Sequence, residues 1–485
     1  MKIWKRGINT NMIDLTLNDL FYPKNIAIIG VSSKKQTLGS KKMKTLIDYG
    51  YEGDMYIIHP TAEEINGIKA YPTVSGLPEK IDYAYIAVPK ERIVETIESF
   101  DGKVKYAHII TSGFSEIGNH EEEQQILEAA RKSNVRIVGP NCIGLYCPEG
   151  KMTFSKWFSN KVGSVSVFSQ SGGLASDIGI RGNNRGLSFS KIISAGNCVD
   201  LNAVDFLEYF IDDPKTKVIG LYVESIENGR KFIDALKRNN HSKPIVLLKG
   251  GRTDEGTKAA ASHTGAMSND YEIIKGICVQ FGVVLVNDYE ELVDTMILLQ
   301  TMPKEVGNKT LLLGMGGGAT VSAIDASKEN GLNIPGFKVA TQKSLMDLNL
   351  PDGYSLKNPV DTPAWTLMAQ NGTIIKSIVE TAVKSERFDN LIIHLNLQVV
   401  VGTFGRDALD NLIQAVSELN NLDLNVIVIL RNEVTSMEGP RVEYANKMSE
   451  LDIPTLFNLN SAIQAVGKIV ETNNNMSVEQ IASKV

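Results

Sequence analysis

The segment KAAASHTGAM, Lys258 to Met267, sets one of six histidines, His263, among alanine, serine, threonine and glycine. Met267 is its only large apolar side chain, so the segment has little to anchor it by burial and is expected to be a surface-lying or mobile loop. An imidazole on such a loop is suited to carrying a phosphoryl group: one ring nitrogen attacks phosphorus while the other donates to a carboxylate that fixes the tautomer. The carboxylate best placed by topology is Glu224, which ends the apolar run VIGLYVE; an ordinary strand-end acid is the competing reading. The other histidines, His59, His108, His120, His241 and His394, sit in contexts that ask only for structural or surface roles.

A phosphoryl dianion needs opposing charge. Two Ser/Gly turns have the composition to supply it through backbone amides at a helix N-terminus, one at Ser171, Gly172 and Gly173, the other at Gly316, Gly317, Gly318 and Ala319. Each alone is more often just a tight turn; as a pair in related units they point to a two-sided phosphate clamp. A third turn, Gly30-Val31-Ser32-Ser33, follows the first apolar run and reads either as a phosphate-binding turn or as a plain connection. It lacks GxGxxG spacing, and the next apolar run ends in His59-Pro60-Thr61 instead of an acid that could take a ribose, which disfavours a nicotinamide cofactor. An adenine nucleotide bearing phosphates, such as coenzyme A, remains compatible. Val88-Pro89, Thr111-Ser112-Gly113-Phe114 and Gly139-Pro140-Asn141 close three further runs, at the strand ends where open α/β sheets place ligands.

The elements that must position these groups alternate between short apolar runs and helix-length segments. NIAIIG, MYII, YAYIAVP, YAHIITSGF and VRIVGPN give five strand-like runs in the first third of the chain, the pattern of a parallel sheet with helices on both faces. A second such unit opens at SVSVFSQSGGLASDIG and a third at TLLLGMGGGATVSAID; both begin with an apolar strand, a Ser/Gly turn and a helix carrying small residues in its first turn. The fold class is therefore α/β with three doubly wound units, divided at residues 1–145, 146–304 and 305–485.

Bulk properties narrow the classes. A chain of 485 residues, 43% hydrophobic and 22% charged, is an ordinary globular composition for several domains. A net charge of −6 without a basic block gives no footprint for nucleic acid. Cys142, Cys147, Cys198 and Cys278 lack metal-binding spacing and fit reduced thiols, so no metal site is expected. Neither a secretory h-region nor an apolar run of about 18 residues is present, so no membrane association is expected and a cytoplasmic protein is.

The set GPNCIG (Gly139 to Gly144), FSQSGG (Phe168 to Gly173), ISAGN with Asp200, YVES with Glu224, SHTGA (Ser262 to Ala266) and NPVD (Asn358 to Asp361) resembles the NDP-forming acyl-CoA synthetase superfamily, and within it the alpha subunits of ADP-forming acetate–CoA ligases, relatives of succinyl-CoA synthetase. The resemblance spans nearly the whole chain. It implies a Rossmann-like CoA-binding domain followed by two flavodoxin-like CoA-ligase domains. His263 matches the histidine phosphorylated during turnover, Glu224 the acid that stabilises the phosphohistidine, and the Ser171 to Gly173 and Gly316 to Ala319 turns the helix N-termini that hold phosphate. Contacts to CoA are expected from Gly30, Ser32, Ser33, Pro60, Val88, Pro89, Ser112, Gly113 and Asn141. Relatives carry a lysine after the proline that ends the second strand, where this chain has Thr61; Lys42, Lys41 or Lys34 is the expected substitute. After NPVD this chain has Thr362-Pro363-Ala364 in place of the usual small apolar residue and glycine, so acid specificity could differ. The implied reaction interconverts acyl-CoA, phosphate and ADP with a small carboxylic acid, CoA and ATP. No ATP-grasp segment is recognised, so an ATP-grasp beta subunit holding ADP or ATP with Mg2+ is expected in a hetero-oligomer. The alternative is a non-catalytic CoA- or acyl-CoA-binding regulatory protein lacking the nucleotide half.

Overall fold

The computed structural model describes residues 17–258, 270–302, 306–350 and 355–482, and the His263 segment lies outside them. The chain divides into two compact units, Met1–Lys156 with Ile193–Asn202, and Trp157–Ile192 with Ala203–Val485.

The first unit is built on strands Asn25–Ile29 (β1), Asp54–Ile58 (β2), Glu64–Ile65 (β3), Ile68–Tyr71 (β4), Ile81–Ile86 (β5), Val104–Ile109 (β6) and Arg136–Val138 (β7), in the order β3-β4-β2-β1-β5-β6-β7. Every pairing is parallel except β3 with β4. β1 and β5 are buried at every position, which is why NIAII and IDYAYI read as continuous apolar runs instead of alternating ones. β3 and β4 are a hairpin turning on Asn66-Gly67, both at positive φ, 54° and 81°. They add two strands to the five runs read from the sequence, being too short to show a period. A short strand, Gly144–Tyr146 (β8), follows β7.

The ISAGN segment belongs to this first unit. Asp200 accepts from Arg136 Nε and from the Ile137 N–H, both at 2.8 Å. Asn197 Nδ2 reaches Glu116 Oε2 at 2.6 Å, Ser115 Oγ at 3.1 Å and Glu123 Oε2 at 3.1 Å. Just before Asn197, Gly196 has φ 57°, and any Cβ there would collide with the carbonyl oxygens of Pro140 and Asn141.

In the second unit, Val165–Ser169 (β9), Phe189–Ser194 (β10), Val218–Val223 (β11), Ile245–Lys249 (β12) and Val283–Val286 (β13) run in the order β13-β12-β11-β9-β10. A further sheet in the same unit uses Thr310–Gly314 (β14), Ser355–Leu356 (β15), Val360–Asp361 (β16), Asn390–Asn396 (β17), Asn425–Arg431 (β18) and Thr455–Leu456 (β19), in the order β15-β16-β14-β17-β18-β19. Helix Tyr289–Thr301 packs against β11, β12 and helix Leu459–Ala482, and is buried continuously from Glu291 to Leu299, so its sequence lacks a polar face. Among the described residues no helix is long and apolar enough to cross a membrane.

All three sheets share one topological feature. The opening strand lies inside the sheet with a later strand on either side: β1 between β2 and β5, β9 between β10 and β11, β14 between β16 and β17. The chain leaves that strand in one direction and returns on the other, which opens a crevice at its carboxyl end.

One buried group makes the first unit sensitive to acid. His108 has no exposure and bridges the Tyr83 hydroxyl, 2.6 Å from Nδ1, and the Cys142 carbonyl, 2.9 Å from Nε2. Since a carbonyl only accepts, Nε2 carries the proton and Nδ1 accepts from Tyr83. Burial lowers its pKa from 6.5 to about 3. The unfolded chain therefore takes up a proton that the folded one refuses. The stability this group contributes is complete above pH 6.5 and is lost as pH falls toward 3. Urea denaturation should show the advantage of the wild type over His108→Gln shrinking across that window, and a constant difference would contradict it.

Candidate active site

The second unit brings two of the sequence-predicted groups to one switch point. Ser171 caps helix Gly172–Asn184: its Oγ accepts from the Leu174 N–H at 3.3 Å, and its own N–H donates to Ser169 Oγ at 3.2 Å. Gly173 is exposed, and a Cβ there would meet nothing within 4 Å, so the helix N-terminus is open to a ligand.

Glu224 stands on the neighbouring strand, 4% exposed. The residue between the two serines of the turn connects them: Gln170 Oε1 accepts from the Glu224 N–H and, at 3.0 Å, from the Ser225 N–H. Tyr222 donates its hydroxyl to Glu224 Oε1 at 3.0 Å. Burial, and then the Glu224 charge, raise the Tyr222 phenol well above its ordinary pKa, so it stays a donor throughout the neutral range. On the other side Lys249, 1% exposed, donates Nζ to the Glu224 carbonyl at 2.8 Å and to the Gly250 carbonyl. Burial lowers the pKa of Lys249, and the Glu224 charge opposes the shift.

The glycine turn of the third sheet is built differently. Gly316 has φ 108° and no atom within 4 Å of where a Cβ would stand; Gly316, Gly317 and Gly318 are exposed and Ala319 half-buried. A carboxylate from the adjacent strand already serves this turn, because Asp361 Oδ1 accepts from the Gly316 N–H at 3.1 Å. The NPVD motif thus divides into two jobs. Asn358 ties β14 through the Leu312 N–H at 3.1 Å and the Thr310 carbonyl at 2.9 Å, and Asp361 caps the turn.

In the first unit the expected CoA residues fall at the carboxyl edge of the sheet. The Ala87 N–H donates to the Ile29 carbonyl at 2.9 Å, Thr111 Oγ1 to the Val88 carbonyl at 2.7 Å, and the Asn141 N–H to the Thr111 carbonyl at 3.0 Å, so Gly30, Val88, Gly113 and Asn141 lie on loops laced together. Gly30 has φ 98° and a Cβ would strike the Ala87 carbonyl. Ser33, Pro60, Pro89 and Ser112 are exposed, and Ser32 accepts from the Lys34 N–H at 3.2 Å. His59 Nδ1 accepts from the Ala62 N–H at 3.0 Å, so the HPTA stretch is a side-chain-capped turn. Lys42 is buried, donates to the Thr153 carbonyl at 2.7 Å, and has its pKa lowered by burial to about 7. A contact with a CoA phosphate would need it to leave that carbonyl, whereas Lys34 and Lys41 are exposed. His263 lies outside the described residues. Among the described residues no three His, Cys, Asp or Glu side chains are grouped to hold a metal ion.

Two domain families match the chain, the CoA binding domain over residues 24–148 and the succinyl-CoA ligase like flavodoxin domain over residues 162–299. The alpha subunit of acetate–CoA ligase (ADP-forming) II of Pyrococcus furiosus is 34% identical over 408 residues, covering 84% of this chain and 88% of that subunit. The chain belongs to the ADP-forming acyl-CoA synthetase family. Acetate–CoA ligase (ADP-forming) of Methanocaldococcus jannaschii is 38% identical over 351 residues, 72% of this chain but 49% of that longer protein. Among solved structures, the dinucleotide forming acetyl-coenzyme A synthetase 1 of Ca. Korarchaeum cryptofilum, in complex with phosphate and ADP, superposes with a TM-score of 0.81 at 30% identity, covering 96% of this chain and 99% of that one.

Within this family frame, Tyr222 and Lys249 are residues that sequence reasoning did not single out, while Gln170 and Asp361 entered it only as members of the FSQSGG and NPVD motifs, without a role of their own. Tyr222 carried a readable signal, since residues two apart on a strand share a face. The two positive-φ glycines differ in a measurable way. Gly316→Ala meets no obstacle, only backbone strain of about 1–2 kcal/mol. Gly30→Ala adds a backbone collision and should cost on the order of 3 kcal/mol or more. Urea melts of the two variants should rank in that order, and equal losses would sink the distinction.

Proposed function

We propose that this chain is the alpha subunit of an ADP-forming acyl-CoA synthetase of the acetate–CoA ligase type. The observation that carries the reading is the junction of the Ser171 helix N-terminus with the buried Glu224 carboxylate at one switch point, bridged by Gln170. That junction pairs an anion-binding terminus with an acid able to hold an imidazolium, the two requirements of a phosphohistidine site.

In this reading CoA lies at the carboxyl edge of the first unit. A phosphate oxygen attacks the thioester carbonyl, the acyl–sulfur bond breaks, and the CoA thiolate leaves with an acyl phosphate formed. An imidazole nitrogen of His263 attacks phosphorus and the carboxylate leaves. Glu224 accepts a hydrogen bond from the other ring N–H and stabilises the positive charge of the ring, with Tyr222 fixing the carboxylate. The helix N-termini at Ser171 to Gly173 and Gly316 to Ala319 offset the dianion through the amides that their capping groups leave over. ADP takes the phosphoryl group from the histidine on an ATP-grasp beta subunit, and the Mg2+ that accompanies the nucleotide is placed on that subunit too. Two relatives from Pyrococcus furiosus are themselves named as alpha subunits, which supports such a partner. A cytoplasmic setting is part of the proposal, and the four buried, reduced cysteines suit it.

Incubation with acetyl-CoA and radiolabelled phosphate should place acid-labile, base-stable label on the chain. His263→Ala should abolish labelling while CoA affinity stays within about twofold, since the loop and the CoA edge lie on different parts of the chain. Label retained by His263→Ala would refute the assignment.

A further inference from the structure

The parallel ladder around β11 ends one residue short of Glu224. Its last rungs are the Gln170 N–H to the Tyr222 carbonyl, 3.2 Å, and the Gly250 N–H to the Val223 carbonyl, 2.8 Å. Glu224 is the first residue beyond them, yet it is buried, so its peptide groups need other partners. Side chains from both flanking strands supply them. From the β9 side, Gln170 takes the N–H of Glu224 together with that of Ser225, and donates Nε2 to Ser225 Oγ at 3.5 Å. From the β12 side, Lys249 takes the Glu224 carbonyl at 2.8 Å.

We infer that Gln170 and Lys249 are positioning residues for the phosphoryl transfer: they replace the missing rungs of the ladder and thereby set the Glu224 carboxylate relative to the Ser171 turn. Neither touches the reacting atoms in this scheme. Gln170 is the more telling of the two, because it sits inside the phosphate turn, between Ser169 and Ser171, and reaches the acid on the next strand with the same side chain. Any displacement of the turn is thereby transmitted to Glu224. The inference rests on Glu224 serving the phosphohistidine.

The test is single-turnover labelling of the full chain with acetyl-CoA and radiolabelled phosphate, which separates the first-order rate constant from the amplitude. A residue that only supports the fold changes the active fraction, hence the amplitude; a positioning residue changes the rate constant of every folded molecule. Gln170→Met should lower the rate constant at least tenfold at unchanged amplitude and shorten the lifetime of the labelled form. Gln170→Glu, which keeps acceptor oxygens in reach of both amides, should recover part of the loss. Should Gln170→Met fail to fold, Gln170→Asn keeps the amide one methylene short and carries the same test. Lys249→Met should act in the same direction. Glu224→Gln is the control. If it labels like the wild type, the role given to Glu224 fails. If it loses labelling while the Gln170 and Lys249 variants keep the wild-type rate constant, or lose amplitude alone, the positioning role is overturned and the catalytic reading stands.

Discussion

A parallel strand that outruns its neighbours carries peptide groups with no ladder to receive them, and the candidate site exists because Glu224 is held in that condition inside the protein. The N–H goes to a glutamine and the carbonyl to a lysine, both buried. Two consequences follow from this one ending. The acid is fixed by its backbone more than by its side chain, so Tyr222 needs to orient only the last bonds of the carboxylate. And the acid is tied to the helix N-terminus on the neighbouring strand, because the glutamine that satisfies it belongs to the Ser171 turn.

The same topology appears three times, with a different local solution each time. At β1 the chain turns so tightly against the β5 end that the Ala87 carbonyl fills the space a side chain would need, and glycine at Gly30 is a packing requirement. At β9 the turn has no such pressure, and a serine caps the helix through its own hydroxyl. At β14 the residue before the helix is a glycine with open space around it, required by its φ of 108° alone, and the cap comes from Asp361 on another strand. Equivalent switch points thus yield a close backbone approach, a self-capped terminus and a terminus capped from outside.

Much of this was legible in the sequence because it depends on local pattern. Fully buried strands announce themselves as unbroken apolar runs, and the turns at Gly30, Ser171 and Gly316 are marked by residues with special backbone or capping chemistry. What stayed hidden depends on contacts between distant segments. The Asn66-Gly67 hairpin joins strands of two and four residues, below the length at which a period can be counted. ISAGN reads as the end of a strand of the second unit, and the hydrogen bonds that bind Asn197 and Asp200 to the rest of the first unit reach back 56 to 82 positions. The lysine expected to serve CoA phosphates, Lys42, reads as one more helix-surface lysine, and only the fold shows its ammonium buried on the Thr153 carbonyl 111 positions away.

Charge placement makes the two glycine- and serine-lined turns unequal partners for a phosphate. Both have a carboxylate on an adjacent strand, but the acids are used in opposite ways. Asp361 is spent on the Gly316 amide, so its negative charge sits at the terminus of helix Gly317–Glu329 and offsets part of the dipole there. Glu224 accepts from the Tyr222 phenol, and the Ser171 terminus is capped by the neutral hydroxyl of Ser171. A dianion would be drawn more strongly to the Ser171 turn than to the Gly316 turn.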